Sequence, residues 1–235
     1  MADIKMVHQH RDVQGGSARA AVFGISDGLV SNVGLILGVA AADTDASNVI
    51  IAGVAGLLAG AVSMAAGEYV SVKAETELVE RELVIERESL ARDPEEETEE
   101  LASIYMSRGL PADQARDLAG AVMSDPEVAL EVHAREELGI APDAVGNPVA
   151  AASSSFIAFV LGAVLPLLPW FVAEGTSAII ASVIIGLVAA AAVGTVLAVF
   201  TERSKTKTAA RQVFIAAIAC SVTYLIGSAV GATVL

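Results

Sequence analysis

Two carboxylates stand where a bilayer would make them expensive. Asp27, in "GISDGLVSNVG", and Glu68, in "SMAAGEYVSV", interrupt runs that are otherwise apolar. A charge deep in such a run costs ~2.5 to 3.5 kcal/mol or more, so it faces a protein-lined cavity or a partner, or satisfies buried structural hydrogen bonds. Met64 lies four residues before Glu68 on the same helix face, and Asn32 lies deeper than Asp27 on its own run. Carboxylate oxygens with a thioether beside them suit a borderline divalent ion such as Fe(II) better than Mg(II), which prefers oxygen and water alone. For Met64 taken by itself, ordinary packing is the commoner explanation of its type.

A second group of carboxylates lies outside the apolar runs. Residues 73–149 hold twenty Asp and Glu against seven Lys and Arg, a local charge of −13 out of the chain's −14. Such a run is commonly a solvated face. Here the spacing argues for more. Glu82 and Glu86 are four apart and Glu97 and Glu100 three apart, so each pair shares a helix face, where like charges repel unless a cation sits between them. Carboxylates converging from several helices form a hard-ligand cage for divalent metals. Arg81, Arg87 and Arg135 could neutralise some of them instead.

These residues need elements to hold them. With 54% hydrophobic residues and a net charge of −14, apolar and charged residues must be segregated along the chain. Apolar runs occupy about residues 20–42, 49–72, 150–173, 177–200 and 212–235, each near the ~20 residues that carry a helix across hydrocarbon. The expected fold is all-α: an integral membrane protein of five transmembrane helices with a helical cytoplasmic insert between spans two and three. Its parts are a cytoplasmic N-terminal segment 1–19, helices one and two in 20–72, the acidic domain 73–149, and helices three to five in 150–235. Residues 1–19 are polar and the first run is too long for a signal peptide's core, so an uncleaved N-terminus is expected. The lone cysteine, Cys220, excludes an intrachain disulfide and reads as a small packing residue.

All fourteen Lys and Arg fall before the first run, between the second and third, or between the fourth and fifth; "AADTDASN" and "VAEGTS" have none. Because basic residues are retained on the cytoplasmic side, the N-terminus and the insert are expected in the cytosol and the C-terminus outside it. Within the insert, Asp93–Pro94 with Gly109, Pro111, and Pro126 with Gly139 punctuate three short helices. No breaker follows Glu68 until Pro94, so the second spanning helix should run on as a rigid post. Pairs of glycines four apart, Gly24/Gly28, Gly34/Gly38, Gly56/Gly60 and Gly227/Gly231, allow close helix contact and can seat a dimer interface. In "LPLLPW", Pro166 and Pro169 should kink the third span or mark its outer end, with Trp170 as an interfacial anchor.

The stretches "ISDGLVSNVGLILGVAAA", "AGLLAGAVSMAAGEYVSV", "REELGI" and "LGAVLPLLPW" resemble the vacuolar iron transporter family over essentially the whole chain. The resemblance implies a five-span homodimer that moves Fe(II), and often Mn(II), out of the cytosol in exchange for protons, with the insert as its metal-binding domain. It implies Asp27 and Met64 as pathway residues and Glu86, Glu97, Glu100 and Glu137 as insert ligands. Some relatives carry a glutamate where this chain has Gly56, a lack that Glu68 could fill. Ser89 stands where a glutamate can occur, and His133 and Ala134 replace a methionine pair; a lone helical histidine is more often a surface residue, though His133 could supply an imidazole nitrogen.

No phosphate loop, no nucleophile with its base and no basic nucleic-acid face is present, so an enzyme, an ATP-driven pump, a bound prosthetic group or a nucleic-acid partner is not expected. A di-iron oxidase needs Glu-x-x-His pairs, and no Glu stands three residues before His8, His10 or His133. A membrane-anchored carboxylate module without transport would account for the insert but leave Asp27 and Glu68 without purpose.

Overall fold

The computed structural model describes residues 16–42, 45–139 and 146–234. Lys5, Arg11, His8 and His10 lie outside them. Among the described residues eight α-helices run in order: α1 (Gly16–Ala42), α2 (Ala46–Arg92), α3 (Pro94–Ser107), α4 (Ala112–Met123), α5 (Pro126–Glu136), α6 (Pro148–Val164), α7 (Gly175–Phe200) and α8 (Lys205–Val234). No strand occurs among the described residues. Five helices among the described residues are long and apolar enough to cross a membrane: α1, α2, α6 with the 3₁₀ segment Leu165–Phe171 that follows it, α7 and α8. At 47 residues, α2 is about 70 Å long, more than twice the ~30 Å that hydrocarbon requires.

The local signals act as their chemistry dictates. Proline occupies the first position of α3, α5 and α6, where its missing N–H costs nothing. The Asp125 carboxylate accepts the Glu127 and Val128 N–H groups at 3.0 and 3.3 Å, and the Asn147 side chain accepts that of Ala150 at 3.0 Å. Asp93 precedes α3 but does not cap it; its carboxylate takes the Arg92 guanidinium at 2.7 Å. Past α3, Gly109 adopts φ +99, a left-handed conformation that side chains disfavour.

The chain divides into two compact units. One comprises the described residues from Ser71 to Gly146. There α3 and α4 meet through Leu101, Ala102, Ala115 and Ala119, with Tyr105, Met106 and Val132 against them. Small side chains at the contact let the helices approach closely. The Arg116 guanidinium holds Glu99 at 2.9 Å, and Arg108 pairs with Glu136.

The other unit comprises the described residues up to Val70 and from Asn147 onward. Here α1 packs closely against α6, α7 and α8. A Cβ at Gly28 would fall 2.2 Å from the Phe159 carbonyl oxygen, and one at Gly162 2.2 Å from that of Ile25, so α1 and α6 touch backbone to backbone. At the other end of α1, a Cβ at Gly227 would stand 1.9 Å from the Gly38 carbonyl oxygen. The glycine pairs singled out in the sequence are thus engaged by neighbours within the protomer, with Gly34 against Thr223 and Gly60 against Phe159.

Trp170 departs from the interfacial position expected of it. It is 2% exposed, packed with Ile36, Val49 and Leu167. The 3₁₀ turn after Pro166 aims its indole N–H at the Ser182 hydroxyl, 3.0 Å away, and that hydroxyl donates to the Pro166 carbonyl at 2.7 Å. With its polar edge satisfied internally, the ring has no need of water. Cys220 is a buried free thiol beside Val33 and Leu37.

Candidate metal sites

Four side chains from three helices converge in the unit from Ser71 to Gly146. Glu86 on α2, Glu97 on α3, His133 on α5 and Glu137 at the end of α5 each offer a ligand atom, all within 4.8 Å of one another. The His133 Nδ1 atom stands 3.1 Å from Glu86, 3.8 Å from Glu97 and 3.7 Å from Glu137. Ligands at ~2.1 Å from an ion are ~3 to ~4.2 Å apart, so little contraction is needed to enclose one. His133 is fully buried and Glu86 only 7% exposed.

The hydrogen bonding of the group is incomplete. Both imidazole nitrogens of His133 and Oε1 of Glu86 are buried without a hydrogen-bond partner, although Nδ1 comes within 3.1 Å of Glu86. Orphaned buried polar atoms cost ~1 to 3 kcal/mol each. A cation would serve all of them together. Three carboxylate oxygens and one imidazole nitrogen make a donor set for Fe(II), Mn(II) or Zn(II), with no soft sulfur in it.

The electrostatics point the same way. Burial, reinforced by Glu137, Glu97 and Glu100, pushes the Glu86 carboxyl up to about 7. Glu97 is raised too, by burial and then by Glu100 and Glu137. His133 is lowered, because burial disfavours the imidazolium more than the neighbouring acids favour it. Glu86 and Glu97 therefore hold their protons to higher pH than ordinary carboxyls do, while His133 gives its proton up at lower pH than an ordinary imidazole.

Among the insert residues expected as ligands, Glu86, Glu97 and Glu137 are brought together. Glu100 acts on them electrostatically but is not one of the four, and Glu82 turns to Arg81 at 3.3 Å. His133 belongs to the site rather than to the surface. Its signal in the sequence was the four-residue spacing to Glu137 in "HAREE".

A second site lies in the other unit. Asp27, Ser31 and Asn32 of α1, Gly56, Gly60, Ser63 and Met64 of α2, and Phe159 of α6 line a cavity of about 340 Å³. Asn32 is 2% exposed; its amide N–H donates to the Ala163 carbonyl at 2.7 Å, while Oδ1 is buried without a partner. That oxygen stands 3.2 Å from where a Gly56 side chain would begin. Asp27 and Met64 are thus gathered with an amide oxygen that could also ligate. Met64 in addition packs on the cluster of Leu57, Ala61 and Phe159. Glu68 does not line the cavity; it stands 3.8 Å from the Arg19 guanidinium.

The VIT family sequence profile matches residues 18–228. Vacuolar iron transporter 1 of Eucalyptus grandis is 31% identical over 230 residues, 96% of this chain and 92% of that protein. The Arabidopsis thaliana protein of the same name is 32% identical over 217 residues, covering 92% of this chain and 87% of its own length. The vacuolar iron transporter of Acanthamoeba castellanii is 39% identical over 162 residues, 68% of this chain and 58% of that protein.

Proposed function

The chain belongs to the VIT family, and from that premise we propose that it is a transporter of divalent metal, exporting Fe(II) and also accepting Mn(II), by exchange for protons. The observation that carries this reading is the cavity in which α1 and α2, both apolar enough to span a bilayer, present Asp27, Met64 and the unpartnered Asn32 oxygen to one space. Oxygen donors with one thioether can replace part of an ion's hydration shell and still release it. A carboxylate holds a proton or a metal but not both, so Asp27 would couple the two flows. Glu68, paired with Arg19, would act beside the path.

In this reading residues 73–149 form a cytoplasmic acceptor domain, with the N-terminus on the same side and the C-terminus opposite. Glu86, Glu97, His133 and Glu137 bind the ion there, and Glu82 and Glu100 contribute negative field, an effect that weakens with salt. A homodimer would bury Ile51, Val54, Leu58 and Val62, exposed on the apolar part of α2. Metal is cargo throughout, and no catalytic step is required.

The test is Fe(II) uptake by proteoliposomes under an imposed pH gradient, wild type against Asp27→Ala. Gradient-dependent uptake that falls at least tenfold in the variant is expected; equal rates would refute a pathway through Asp27. The cluster of four ligands taken alone would equally suit a membrane-anchored binding module. Folded wild-type protein that moves neither Fe(II) nor Mn(II) selects that alternative.

A further inference from the structure

The turn between α7 and α8 holds a concentration of positive charge. In "TERSKTKTAAR", residues 201–211, Arg203, Lys205, Lys207 and Arg211 face a single acid, Glu202. Arg203, Lys207 and Arg211 line one cavity of about 600 Å³. None of their side chains has an ion-pair or hydrogen-bond partner among the described residues. Three cations around a shared space repel one another unless an anion joins them.

Retention of basic residues during insertion accounts for cations near this end of the helices. It does not account for Thr208. That residue is 7% exposed and lines the same cavity, yet its hydroxyl makes no hydrogen bond among the described residues. Its backbone is fixed, because α7 and α8 touch at Gly194, where a Cβ would lie 2.9 Å from the Thr208 carbonyl oxygen. Its hydroxyl, open to the space that the three unpaired cations surround, adds a neutral donor to them, a set suited to an anionic oxygen.

A second cavity identifies the rest of the ligand. It measures about 240 Å³, is walled entirely by apolar side chains of α1, the 3₁₀ segment and α7, and shares Leu197 with the basic cavity. Because α7 and α8 are both long enough to span a bilayer, the turn joining them lies at headgroup depth and the apolar cavity toward the hydrocarbon. We propose that this is a site for an anionic phospholipid, its phosphate held by Arg203, Lys207, Arg211 and the Thr208 hydroxyl, and an acyl chain lying past Leu197 in the apolar cavity. The shared chemistry is the phosphate; the apolar cavity favours a lipid over a free ion. Basic pockets between spanning helices recognise such headgroups through the same contacts. The assignment is independent of the transport reading.

The test uses the full chain in detergent and native mass spectrometry, with phosphatidylglycerol, phosphatidylcholine and inorganic phosphate as probes. Wild type should retain phosphatidylglycerol in preference to phosphatidylcholine. The double variant Lys207→Gln/Arg211→Gln should lower that retention about thirtyfold, and Thr208→Val about fivefold. The replaced cations have no partners to lose, so the fold should persist, checked by circular dichroism and melting temperature. Arg87→Gln/Arg92→Gln, which removes the same charge elsewhere, should bind lipid as wild type does. Equal retention of the two lipids, unchanged binding by the first double variant, an equal loss in the second, or displacement of the lipid by millimolar phosphate would each overturn the proposal.

Discussion

Replacing Glu86 by Gln should stabilise the metal-free protein at alkaline pH while weakening its hold on metal. Burial and three neighbouring acids raise this carboxyl from an ordinary 4.5 to about 7. Below pH 4.5 it is protonated whether the chain is folded or not, and its burial then carries no charge penalty. Between 4.5 and 7 the unfolded chain releases the proton while the folded one keeps it, so stability declines as pH rises, and above 7 the loss is complete. At ~1.4 kcal/mol per tenfold change in proton affinity the shift amounts to about 3 kcal/mol, which solvent access at the rim lowers to about 2 kcal/mol. The neutral, nearly isosteric amide escapes that loss.

The assay is amide hydrogen exchange in α3 and α5 of the EDTA-treated full chain, corrected for the intrinsic pH dependence of exchange. At pH 8.5 Glu86→Gln should exchange about thirtyfold more slowly than wild type, and at pH 4 the two should coincide. Adding Mn(II) at pH 7.5 should protect wild type strongly and the variant weakly, because the amide is a poorer ligand and metal binding to the folded state alone adds stability. A variant less protected than wild type at both pH values would refute the reasoning. Glu86 would then be a structural partner of His133, and the cluster a polar core.

Three other outcomes follow from the geometry. Gly28→Ala puts a methyl 2.2 Å from a backbone oxygen of α6 and should cost more than ~3 kcal/mol, whereas Gly67→Ala meets open space and should add up to ~1 kcal/mol; melting temperatures in detergent order the pair. Trp170→Phe removes the donor to Ser182 and should cost ~1 to 2 kcal/mol with no change in metal binding by the full chain. Glu202 adopts φ +52, so Glu202→Gly should raise stability by about 1 kcal/mol, read as a higher melting temperature.

What the sequence disclosed depended on the range of the physics. Five apolar runs near bilayer length, and the Pro, Asp and Gly punctuation of α3 to α5, are local signals, and the elements appear close to where those signals stand. Asp27 stood out because a charged residue in an apolar run demands a reason, whereas Met64, an ordinary packing residue by type, stood out only beside Glu68 and through the family resemblance. Residues defined by distant partners were not legible. Nothing near Trp170 announces Ser182 twelve residues on, and an isolated His133 carries no mark of the glutamates that α2 and α3 bring to it. Glu82 and Glu86 look equivalent by spacing, but only one points at the cluster while the other meets Arg81.

The glycine contacts of α1 also set a timetable for assembly. The helix reserves Gly24 and Gly28 for α6 and Gly38 for α8, the third and fifth spans, rather than for the helix made next. Gly227 follows Gly38 by about 190 residues, so at ~5 to 20 residues per second the ribosome delivers it ~10 to 40 s later. Gly24 and Gly28 stay open until α6 is made, and Gly38 stays open for the whole of that interval. The native bundle can close only after synthesis is nearly finished, and a chain released before α8 emerges leaves one face of α1 exposed to whatever else in the membrane can fit it.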